Sequence, residues 1–425
     1  MKEYLNKLPK ELKDVVALIS RRAALRGAPV YLVGGFVRDL LLGVKNLDLD
    51  IVIEGDGILF AEDLAEIFKA KLTRHRRFGT ATVILKTGLK IDIATARKEF
   101  YPKPAHLPVV SGGTLKDDLF RRDFTVNAMA VDITRDNYGR LADLFGGKAD
   151  LASKKIRVMH GLSFIDDPTR ILRAVRFEKR YDFRIEDGTL KLLKEAVKLR
   201  MLEKVEPQRV RDDLILILKE RDPLKQIKRL GQLAGFGFIS PRLKVLQKER
   251  ALLASLKSEI AWFNSNYPDR RPIDAWLVYF MGLTDSLTVS ETKAACRRVV
   301  FRSGEEKRIF VYKKINRNLV SRLSRRGIKP SQIFAILEPL SYEIILSLKA
   351  KYRAPAIKKH IEDFLEIYNG MRIYSCGHDL HDLGLAPGPH YQGIFTRVLN
   401  AKLNGIVKTK DEELCLIRKL IKSRR

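Results

Sequence analysis

The seven residues from Leu47 to Ile53 constrain the fold of this chain most strongly. They read Leu-Asp-Leu-Asp-Ile-Val-Ile, so that Asp48 and Asp50 stand two positions apart at the start of an apolar run. Because alternate residues of a β-strand point to the same face, both carboxylates are expected on one side of a strand that is otherwise buried. Two like charges this close repel each other, and a divalent cation held by both removes the repulsion. The run therefore predicts a strand with a metal-binding edge.

A glycine pair lies a short distance upstream of this run. Val30–Val33 predicts a strand, Gly34-Gly35 a turn, and the residues after them a short helix. Glycines allow backbone N–H groups to approach a phosphate closely, and the planar guanidinium of Arg38 would neutralise triphosphate oxygens. Asp39 is expected to orient a neighbouring arginine rather than to bind metal. A tight strand-to-helix turn without a ligand is the alternative interpretation of the glycines.

A third carboxylate, Asp92, lies in another predicted strand with apolar neighbours. A third acid beside the first two would be the natural general base for an attacking hydroxyl group. A pairing with Arg97, or a position at a strand edge, explains Asp92 equally well. The residues themselves leave its role open.

The segment Arg121-Arg122-Asp123 opens the last predicted strand. Arg122 is expected to contact a nucleotide while Asp123 fixes the loop, and a local surface ion pair worth about 0–1 kcal/mol is the alternative. Together with Asp48, Asp50 and the glycine pair, this segment is typical of an enzyme that binds a nucleoside triphosphate with Mg²⁺ and moves a phosphoryl group.

Three arginines recur at three-residue intervals in the segment Asp166–Phe177. Arg170, Arg173 and Arg176 follow one slowly turning face of a predicted helix, and the apolar residues between them take the buried face. Like charges along one face weaken an isolated helix, so these arginines are expected to face an anion, either a triphosphate or an RNA backbone. Asp167 stands before a proline, and its ordinary interpretation is a helix N-cap.

The overall charge points to a polyanionic partner. The 425 residues contain 81 Lys and Arg against 51 Asp and Glu, a formal net charge of +30. Nucleic acid is the first candidate for such a chain. The three widely spaced cysteines form neither a disulfide framework nor a zinc-ligand pattern, which favours a reduced, cytoplasmic location. No signal peptide and no apolar run of membrane-spanning length are visible, so we expect no membrane partner. The oligomeric state is not predicted.

Strand signals dominate up to residue 150, and helix signals follow. The predicted elements are helices at 1–27 and Ile58–Lys71, a hairpin of Thr80–Leu85 and Leu89–Ala94, a loop at Pro102–Gly113, a strand at Thr125–Ile133, and helices at Pro168–Arg180, Thr189–Leu199, Pro207–Lys219 and Pro223–Leu230. This order predicts a mixed-sheet domain followed by helical domains.

Taken together, the motifs resemble those of class II tRNA nucleotidyltransferases, which comprise CCA-adding enzymes, A-adding enzymes and bacterial poly(A) polymerases. Four stretches match in family order and spacing: Gly34–Asp50, Arg121–Ala130, Asp166–Phe177 and Glu206–Leu214. They cover about the first half of the chain. Gly377–Pro389 also resembles the tail of some members, whereas residues 240–370 match only in helical, basic character.

The resemblance implies an α+β chain with a nucleotidyltransferase-fold head of mixed sheet at 1–150, followed by all-α domains. These would be a neck at 151–235 with a base-reading helix, an RNA-binding body at 236–370 and a tRNA-binding tail at 371–425. It also implies Mg²⁺ as the cofactor, ATP and/or CTP as substrates, and the acceptor and T arms of tRNA as the macromolecular partner.

The resemblance also assigns roles to individual residues. It implies Asp48 and Asp50 as the metal carboxylates, with Asp92 left open because it is not matched in all relatives. The positions implied to contact the nucleotide are Gly34, Gly35, Arg38 and Arg122 beside the sheet, Asp167 and Arg170 on the base, and Arg173 and Arg176 near the phosphates. Asp166 stands where the family usually has Glu. The region Glu206–Arg209, with Asp213, is interpreted as structural.

The implied pair of Asp167 and Arg170 would select cytosine and adenine by hydrogen bonding. A carboxylate only accepts and a guanidinium only donates. Cytosine and adenine present an amino donor beside a ring-nitrogen acceptor, whereas uracil and guanine present the reverse order. A good bidentate contact is worth about 1–3 kcal/mol against the wrong base, so no template is needed.

The leading hypothesis is therefore a template-independent tRNA nucleotidyltransferase that adds C and/or A to the tRNA 3′ end and releases pyrophosphate. An A-adding enzyme or a poly(A) polymerase is the alternative, since the loop Tyr101–Pro108 resembles that of A-adding relatives. A catalytically inactive RNA-binding protein is a further alternative, disfavoured by the intact acidic pair. Transfer to a protein or an antibiotic is disfavoured by the basic charge.

Overall fold

The computed structural model describes residues 1–44 and 48–422. Leu47 of the predicted strand run, and the last three residues of the predicted tail, lie outside the described residues. The chain divides into two compact units, Met1–Phe238 and Ile239–Arg425. The first contains the mixed sheet and the second is helical, which confirms the predicted α+β class. No helix among residues 1–44 and 48–422 is both long enough and apolar enough to cross a membrane.

Eleven strands are described, all in the first unit. In chain order they are β1 Val30–Val33, β2 Leu49–Ile53, β3 Lys71–His75, β4 Thr80–Ile84, β5 Lys90–Thr95, β6 Arg97–Phe100, β7 Val109–Gly112, β8 Ala130–Asp132, β9 Arg140–Ala142, β10 Lys155–Ile156 and β11 Arg184–Ile185. Seven form the central sheet in the order β3-β4-β5-β2-β1-β8-β9, while β6-β7 and β10-β11 form separate pairs.

The helices of the first unit surround this sheet and follow it. They are α1 Lys2–Asn6, α2 Lys10–Leu25, α3 Gly35–Leu42, α4 Gly57–Phe68, α5 Leu115–Phe120, α6 Gly147–Ala152, α7 Ser163–Asp166, α8 Thr169–Arg180, α9 Asp187–Lys198, α10 Pro207–Leu218 and α11 Pro223–Leu233. Short 3₁₀ turns occur at Arg76–Phe78, Thr125–Asn127 and Met201–Glu203.

The second unit is built from helices in its described part. They are α12 Gln247–Asn266, α13 Ala275–Leu283, α14 Val289–Val299, α15 Ser303–Lys313, α16 Arg317–Leu323, α17 Pro330–Leu337, α18 Tyr342–Lys351, α19 Pro355–Asp363, α20 Gly377–Asp382, α21 His390–Leu403 and α22 Lys410–Lys422, with a π-helical turn at Phe364–Tyr368. One apolar cluster centres on α17–α19, and a second joins α20, α21 and α22.

The register of the central sheet brings the acidic residues together. Strands β2 and β5 are parallel, and Asp50 lies directly opposite Asp92. Beyond Asp50, strand β2 is buried on both faces: Ile51, Val52 and Ile53 are each 1% exposed. The carboxylate of Asp50 therefore lies where the covered part of the sheet ends.

Several predicted elements were wrong in their bounds, and β3 was missed. The predicted helix Ile58–Lys71 ends at Phe68, because Lys69 takes a left-handed conformation with φ of 49° and the chain then enters β3. Strand β3 is exposed at four of its five residues, so it has no apolar alternation to reveal it. The predicted helix at 1–27 is interrupted, since Pro9 precedes a new helix at Lys10.

Two other segments also differ from the prediction. The predicted loop Pro102–Gly113 contains β7, which pairs with β6 and thereby makes a small second sheet. The predicted strand Thr125–Ile133 begins instead as the 3₁₀ turn Thr125–Asn127 and becomes strand β8 only at Ala130. The turn is fully buried, and a buried apolar run does not distinguish a tight turn from a strand.

A buried carboxylate organises part of the second unit. Glu343 on α18 has no exposed side-chain surface, and it accepts two hydrogen bonds of 3.0 Å from Arg271 and one of 3.1 Å from the backbone of Asp274. Burial by itself raises the pKa of Glu343, but these hydrogen bonds outweigh it and lower the pKa to about 2.

We expect this carboxylate to make stability depend on pH in a defined window. Because the folded pKa lies below the unfolded value, the ionised group stabilises the fold above about pH 4.5, and that contribution is lost as the pH falls towards about 2. Glu343→Gln should cost about 1–3 kcal/mol at pH 7, and the deficit should shrink on acidification. Thermal unfolding at pH 7, 4 and 3 measures this, with the exposed Glu366→Gln as control. An equal deficit at all three pH values would contradict the assignment.

Candidate active site

A cavity of about 680 Å³, here called the main cavity, opens in the first unit. Its lining comes from the start of β2, from helix α3, from the segment before the Thr125–Asn127 turn, and from helices α8 and α10. Of the sequence-predicted site residues, those that line it are Gly35, Arg38, Asp48, Asp50, Arg122, Asp167, Arg170, Arg173 and Arg176. Gly34 does not line it but lies next to Arg122, and Asp92 lines a different cavity.

The acidic pair and its neighbour create a negative edge on the sheet. Asp48 is exposed and Asp50 is half-buried. Burial, with smaller contributions from the negative charges of Asp92 and Asp48, raises the pKa of Asp50 to about 6 against the opposing positive charges of Arg122 and Lys90. Such a site favours a bound cation. Among residues 1–44 and 48–422 no three His, Cys, Asp or Glu side chains are grouped to hold a metal. Two carboxylates fit an ion such as Mg²⁺, which takes its remaining ligands from phosphates and water.

The two glycines have different local functions. Gly34 has a φ of 67°, its N–H donates to the carbonyl of Met129, and a Cβ atom there would lie 2.4 Å from Nη1 of Arg122. Gly34 is therefore required by the turn and by the close approach of this arginine. Gly35 begins helix α3 beside Asp50, so its backbone faces the main cavity at a helix N-terminus.

Arg38 is held rigidly on helix α3. It is 6% exposed, its Nε donates to Asp39 at 2.9 Å, and its Nη1 donates to Asn127 at 2.5 Å. Its guanidinium lies 4.6 Å from the ring centre of Tyr181, whose hydroxyl also donates to Asp39. The expectation that Asp39 orients a neighbouring arginine is confirmed, whereas Asn127 and Tyr181 were not predicted from the sequence.

Two buried aspartates hold the other arginines on the sheet side. Asp118 accepts from Nη2 of Arg122 at 2.9 Å and from Arg121 at 2.6 Å. Burial would raise the pKa of Asp118, but the positive charges of Arg122 and Arg121 lower it. Asp123 accepts from Nε of Arg173 at 2.9 Å and from the backbone N–H of Phe124. Asp123 therefore fixes its loop, as expected, and also positions an arginine of helix α8.

The implied base-reading pair lies at the start of helix α8. Asp167 accepts hydrogen bonds from Thr169 and pairs with Nη2 of Arg209 at 2.6 Å. Arg170 is 4% exposed, and its Nη2 donates to the carbonyl of Arg121 at 2.9 Å. The structural interpretation of Glu206–Arg209 was incomplete, because Arg209 on helix α10 lines the main cavity. Only the folded topology brings Arg209 to Asp167, so no local sequence signal reveals it.

Four arginines of the main cavity keep buried donors without a partner. Among the arginines that line this cavity, and within the described part of the chain, the buried side-chain nitrogens that have no hydrogen-bond acceptor are Nε of Arg122, Nη1 of Arg170, Nε of Arg176 and Nη1 of Arg209. An arginine cannot lose its proton in a protein, and each unsatisfied buried donor costs about 1–3 kcal/mol. A bound group rich in acceptor oxygens and nitrogens would satisfy these donors.

A mixed-sheet head with an acidic edge, a glycine turn and an arginine-rich helix defines a nucleotide-binding protein of the nucleotidyltransferase class. Residues 30–157 match the family described as the Poly A polymerase head domain. The chain is 38% identical to the A-adding tRNA nucleotidyltransferase of Geobacter sulfurreducens over 96% of its length, but it spans only 48% of that protein.

Two further relatives are similar over nearly their whole length. The A-adding tRNA nucleotidyltransferase of Halalkalibacterium halodurans is 32% identical, over 91% of this chain and 87% of that protein. The Thermotoga maritima CCA-adding enzyme complexed with tRNA superposes with a TM-score of 0.76 at 34% identity, over 99% of this chain and 98% of that chain. The chain therefore belongs to the tRNA nucleotidyltransferase family.

The contact between Gly34 and Arg122 can be tested with a matched pair of variants. Both Gly34 and Gly27 have a positive φ, 67° and 61° respectively, so alanine strains the backbone at either position. Only at Gly34 would the added Cβ atom also meet a guanidinium, since nothing lies within 4 Å of a Cβ atom at Gly27. Backbone strain alone costs about 1–3 kcal/mol in either variant. We expect Gly34→Ala to lower the melting temperature more than Gly27→Ala does, and to weaken ATP binding in calorimetry by displacing Arg122. Equal melting temperatures with unchanged ATP affinity would refute the role of this contact.

Proposed function

We propose that this chain catalyses template-independent addition of C and/or A to the 3′ end of tRNA, using CTP and/or ATP and releasing pyrophosphate. The observation that carries this proposal is the set of unpartnered arginine donors facing an acidic pair across one cavity. Membership of the tRNA nucleotidyltransferase family supports the same reaction. Because the chain spans about half of the Geobacter relative, the activity, substrates and partner of the whole protein are part of the proposal.

In this proposal the acidic pair holds the metal and the arginines hold the triphosphate. Asp48 and Asp50 would bind Mg²⁺, which supplies charge neutralisation at the α-phosphate and lowers the pKa of the attacking hydroxyl. Asp92 lies beside Asp50 and remains a candidate third catalytic carboxylate. The backbone of Gly34-Gly35 forms the turn next to the phosphates. The side chains proposed to bind the phosphates are Arg38, Arg122, Arg173 and Arg176.

The base would be read by Asp167 and Arg170. The hydrogen bonds from Thr169 and the contact with Arg209 all use Oδ1 of Asp167, so Oδ2 remains to accept an amino group. Nη2 of Arg170 is held by a backbone carbonyl, so Nη1 remains to donate to a ring nitrogen. One acceptor beside one donor matches cytosine and adenine and opposes uracil and guanine.

The helical part of the chain would bind the tRNA. Residues 239–425 contain 35 Lys and Arg against 18 Asp and Glu, a net charge of +17. We infer a body at 236–370 and a tail at 371–425 that contact the acceptor and T arms through phosphates and shape, preceded by a head at 1–150 and a neck at 151–235. All three cysteines are free thiols, which supports a reduced, cytoplasmic location.

Addition of A alone is the second candidate. It is favoured because the Geobacter and Halalkalibacterium relatives, each similar over more than nine-tenths of this chain, are both A-adding tRNA nucleotidyltransferases. Under this alternative the same cavity accepts ATP in preference to CTP.

We expect the purified chain to extend tRNA in the presence of Mg²⁺. Radiolabelled CTP or ATP is incubated with tRNAs that end before, within and after CCA, and products are separated on sequencing gels. Transfer of C to a tRNA lacking CCA would exclude the A-only alternative, and transfer of A only to a tRNA ending in CC would establish it. The variant Asp48→Asn/Asp50→Asn should be inactive. Absence of transfer by the wild type to any RNA would refute the proposal.

The base-reading pair predicts a specific loss of discrimination. Arg170→Ala removes the donor to the ring nitrogen, so selectivity for ATP and CTP over GTP and UTP should fall by about 1–3 kcal/mol. Arg176→Ala, the matched control, should weaken all four nucleotides equally because it is proposed to contact phosphate. Steady-state kcat/KM for the four nucleotides measures both. Full discrimination in Arg170→Ala would place base reading elsewhere.

A further inference from the structure

A second cavity of about 430 Å³, here called the sheet-face cavity, shares Asp50 and Arg122 with the main cavity. It is lined by strands β2, β4 and β5 and by the end of β3. The side chains that matter for its chemistry are His75, Thr80, Thr82, Asp92, Asp50 and Arg122.

The face of the central sheet that lines this cavity is open because the neighbouring helices cover other parts of the sheet. Ala81, Val83, Ile91 and Ile93 are at most 1% exposed and face helix α4, which packs on strands β3 to β5. The alternate residues of β4 and β5 point to the opposite face, where they remain partly exposed. Helix α5 and its apolar cluster cover that face over β1, β2 and β8 and extend to Ala94 near the end of β5. The uncovered half, over β4 and β5, carries the polar side chains of Thr80, Thr82 and Asp92 and ends next to Asp50.

The register makes a continuous polar row across this half of the sheet. Thr73 lies opposite Thr82, Thr82 opposite Asp92, and Asp92 opposite Asp50. The Oγ1 of Thr82 donates to Asp92 at 2.6 Å, and Nζ of Lys90 lies 2.5 Å from the other oxygen of Asp92. Asp92 is therefore held in a fixed orientation next to the proposed metal ligands.

The main cavity and the sheet-face cavity meet at the same side chains. Asp50 and Arg122 line both, and the 3₁₀ turn Arg76–Phe78 divides them, with Phe78 on the main cavity and His75 and Thr80 on the sheet-face cavity. In phosphoryl transfer the attacking and leaving oxygens lie roughly in line on opposite sides of the phosphorus atom. If the arginine-rich cavity takes the triphosphate, the attacking group must approach Asp50 from another side.

We propose that the sheet-face cavity binds the 3′-terminal nucleotide of the RNA primer, an inference that rests on the proposed function. Threonine hydroxyls both donate and accept, so Thr80 and Thr82 suit ribose hydroxyls, and Asp92 is placed to accept from the 3′-hydroxyl. The exposed Arg76 and Arg77 follow His75 at the rim and suit the preceding phosphate. Recognition of ribose and phosphate is independent of the base, as addition to successive 3′ ends requires.

A kinetic test compares removal of Arg76 and Arg77 with removal of two positive charges elsewhere on the surface. Arg76→Ala/Arg77→Ala should raise the KM for an RNA ending in CC about tenfold and lower the salt slope of RNA binding by about 2, while the KM for ATP stays within twofold. Thr82→Val should raise the KM for RNA with the fold retained, as judged by circular dichroism. Lys10→Ala/Arg21→Ala, which removes two exposed charges of helix α2, should change neither KM. An unchanged KM for RNA in both the rim and the Thr82 variants would overturn the proposal.

Crosslinking locates the primer directly in the full-length chain. An RNA that carries 4-thiouridine as its last nucleotide is irradiated with the protein, and the modified peptide is identified by mass spectrometry. We expect the crosslink within residues 73–82. A crosslink instead in the neighbouring hollow of about 410 Å³, lined by Phe100, Phe120 and His160, would overturn the assignment. With normal nucleotide transfer by the wild type, that result refutes only the primer site, whereas no transfer at all refutes the proposed function as well.

Discussion

The interaction on which the site depends is the ion pair between a buried aspartate and a cavity arginine. Among the described residues it occurs four times: Asp39 holds Arg38, Asp118 holds both Arg121 and Arg122, and Asp123 holds Arg173. In each pair the carboxylate is buried, and the guanidinium extends to the main cavity. Each arginine is thereby fixed in direction before a ligand arrives, which reduces the entropy lost on binding.

These pairs serve orientation more than stability. Removing two charges from water costs about as much as their mutual attraction returns, so buried ion pairs contribute little to folding. Four buried arginine N–H groups of this cavity also have no acceptor among residues 1–44 and 48–422. The chain therefore retains a set of costly, unsatisfied donors in its folded state. A ligand with many phosphate oxygens would recover that cost, and the planar donor fork of arginine suits such a ligand better than the ammonium group of lysine.

Local patterns predicted those parts of the site that are contiguous in sequence. The alternation around Asp48 and Asp50 predicted strand β2, and the three-residue spacing from Arg170 predicted the face of helix α8 that lines the main cavity, with Ile171, Leu172 and Val175 fully buried as expected. The predicted bounds of helices and strands were wrong where the sequence has no hydrophobic pattern, as in the exposed strand β3. The register also explains why Asp92 remained open in the sequence: its neighbour Asp50 lies 42 positions away and meets it only through parallel pairing.

Contacts between helices could not be predicted from the sequence either, because they join residues that are far apart along the chain. Tyr181 reaches Asp39 from the end of helix α8, and Arg209 reaches Asp167 from helix α10. Neither contact leaves a local periodicity, because each depends on how two helices pack. The family resemblance supplied the identity of Asp167 and Arg170, but it did not supply the partner that orients the acid.

Under the proposed function, Arg209 would affect how Asp167 and Arg170 select a base without a template. Selection requires that one oxygen of Asp167 and one nitrogen of Arg170 stay side by side in a fixed order, since a rotated carboxylate would lose the distinction between donor and acceptor. Arg209 and Thr169 occupy one oxygen, and the carbonyl of Arg121 occupies one guanidinium nitrogen. One oxygen of Asp167 and one nitrogen of Arg170 remain for a ligand. In the proposed site, three separate segments of the first unit therefore supply the contacts that orient this acid and this arginine.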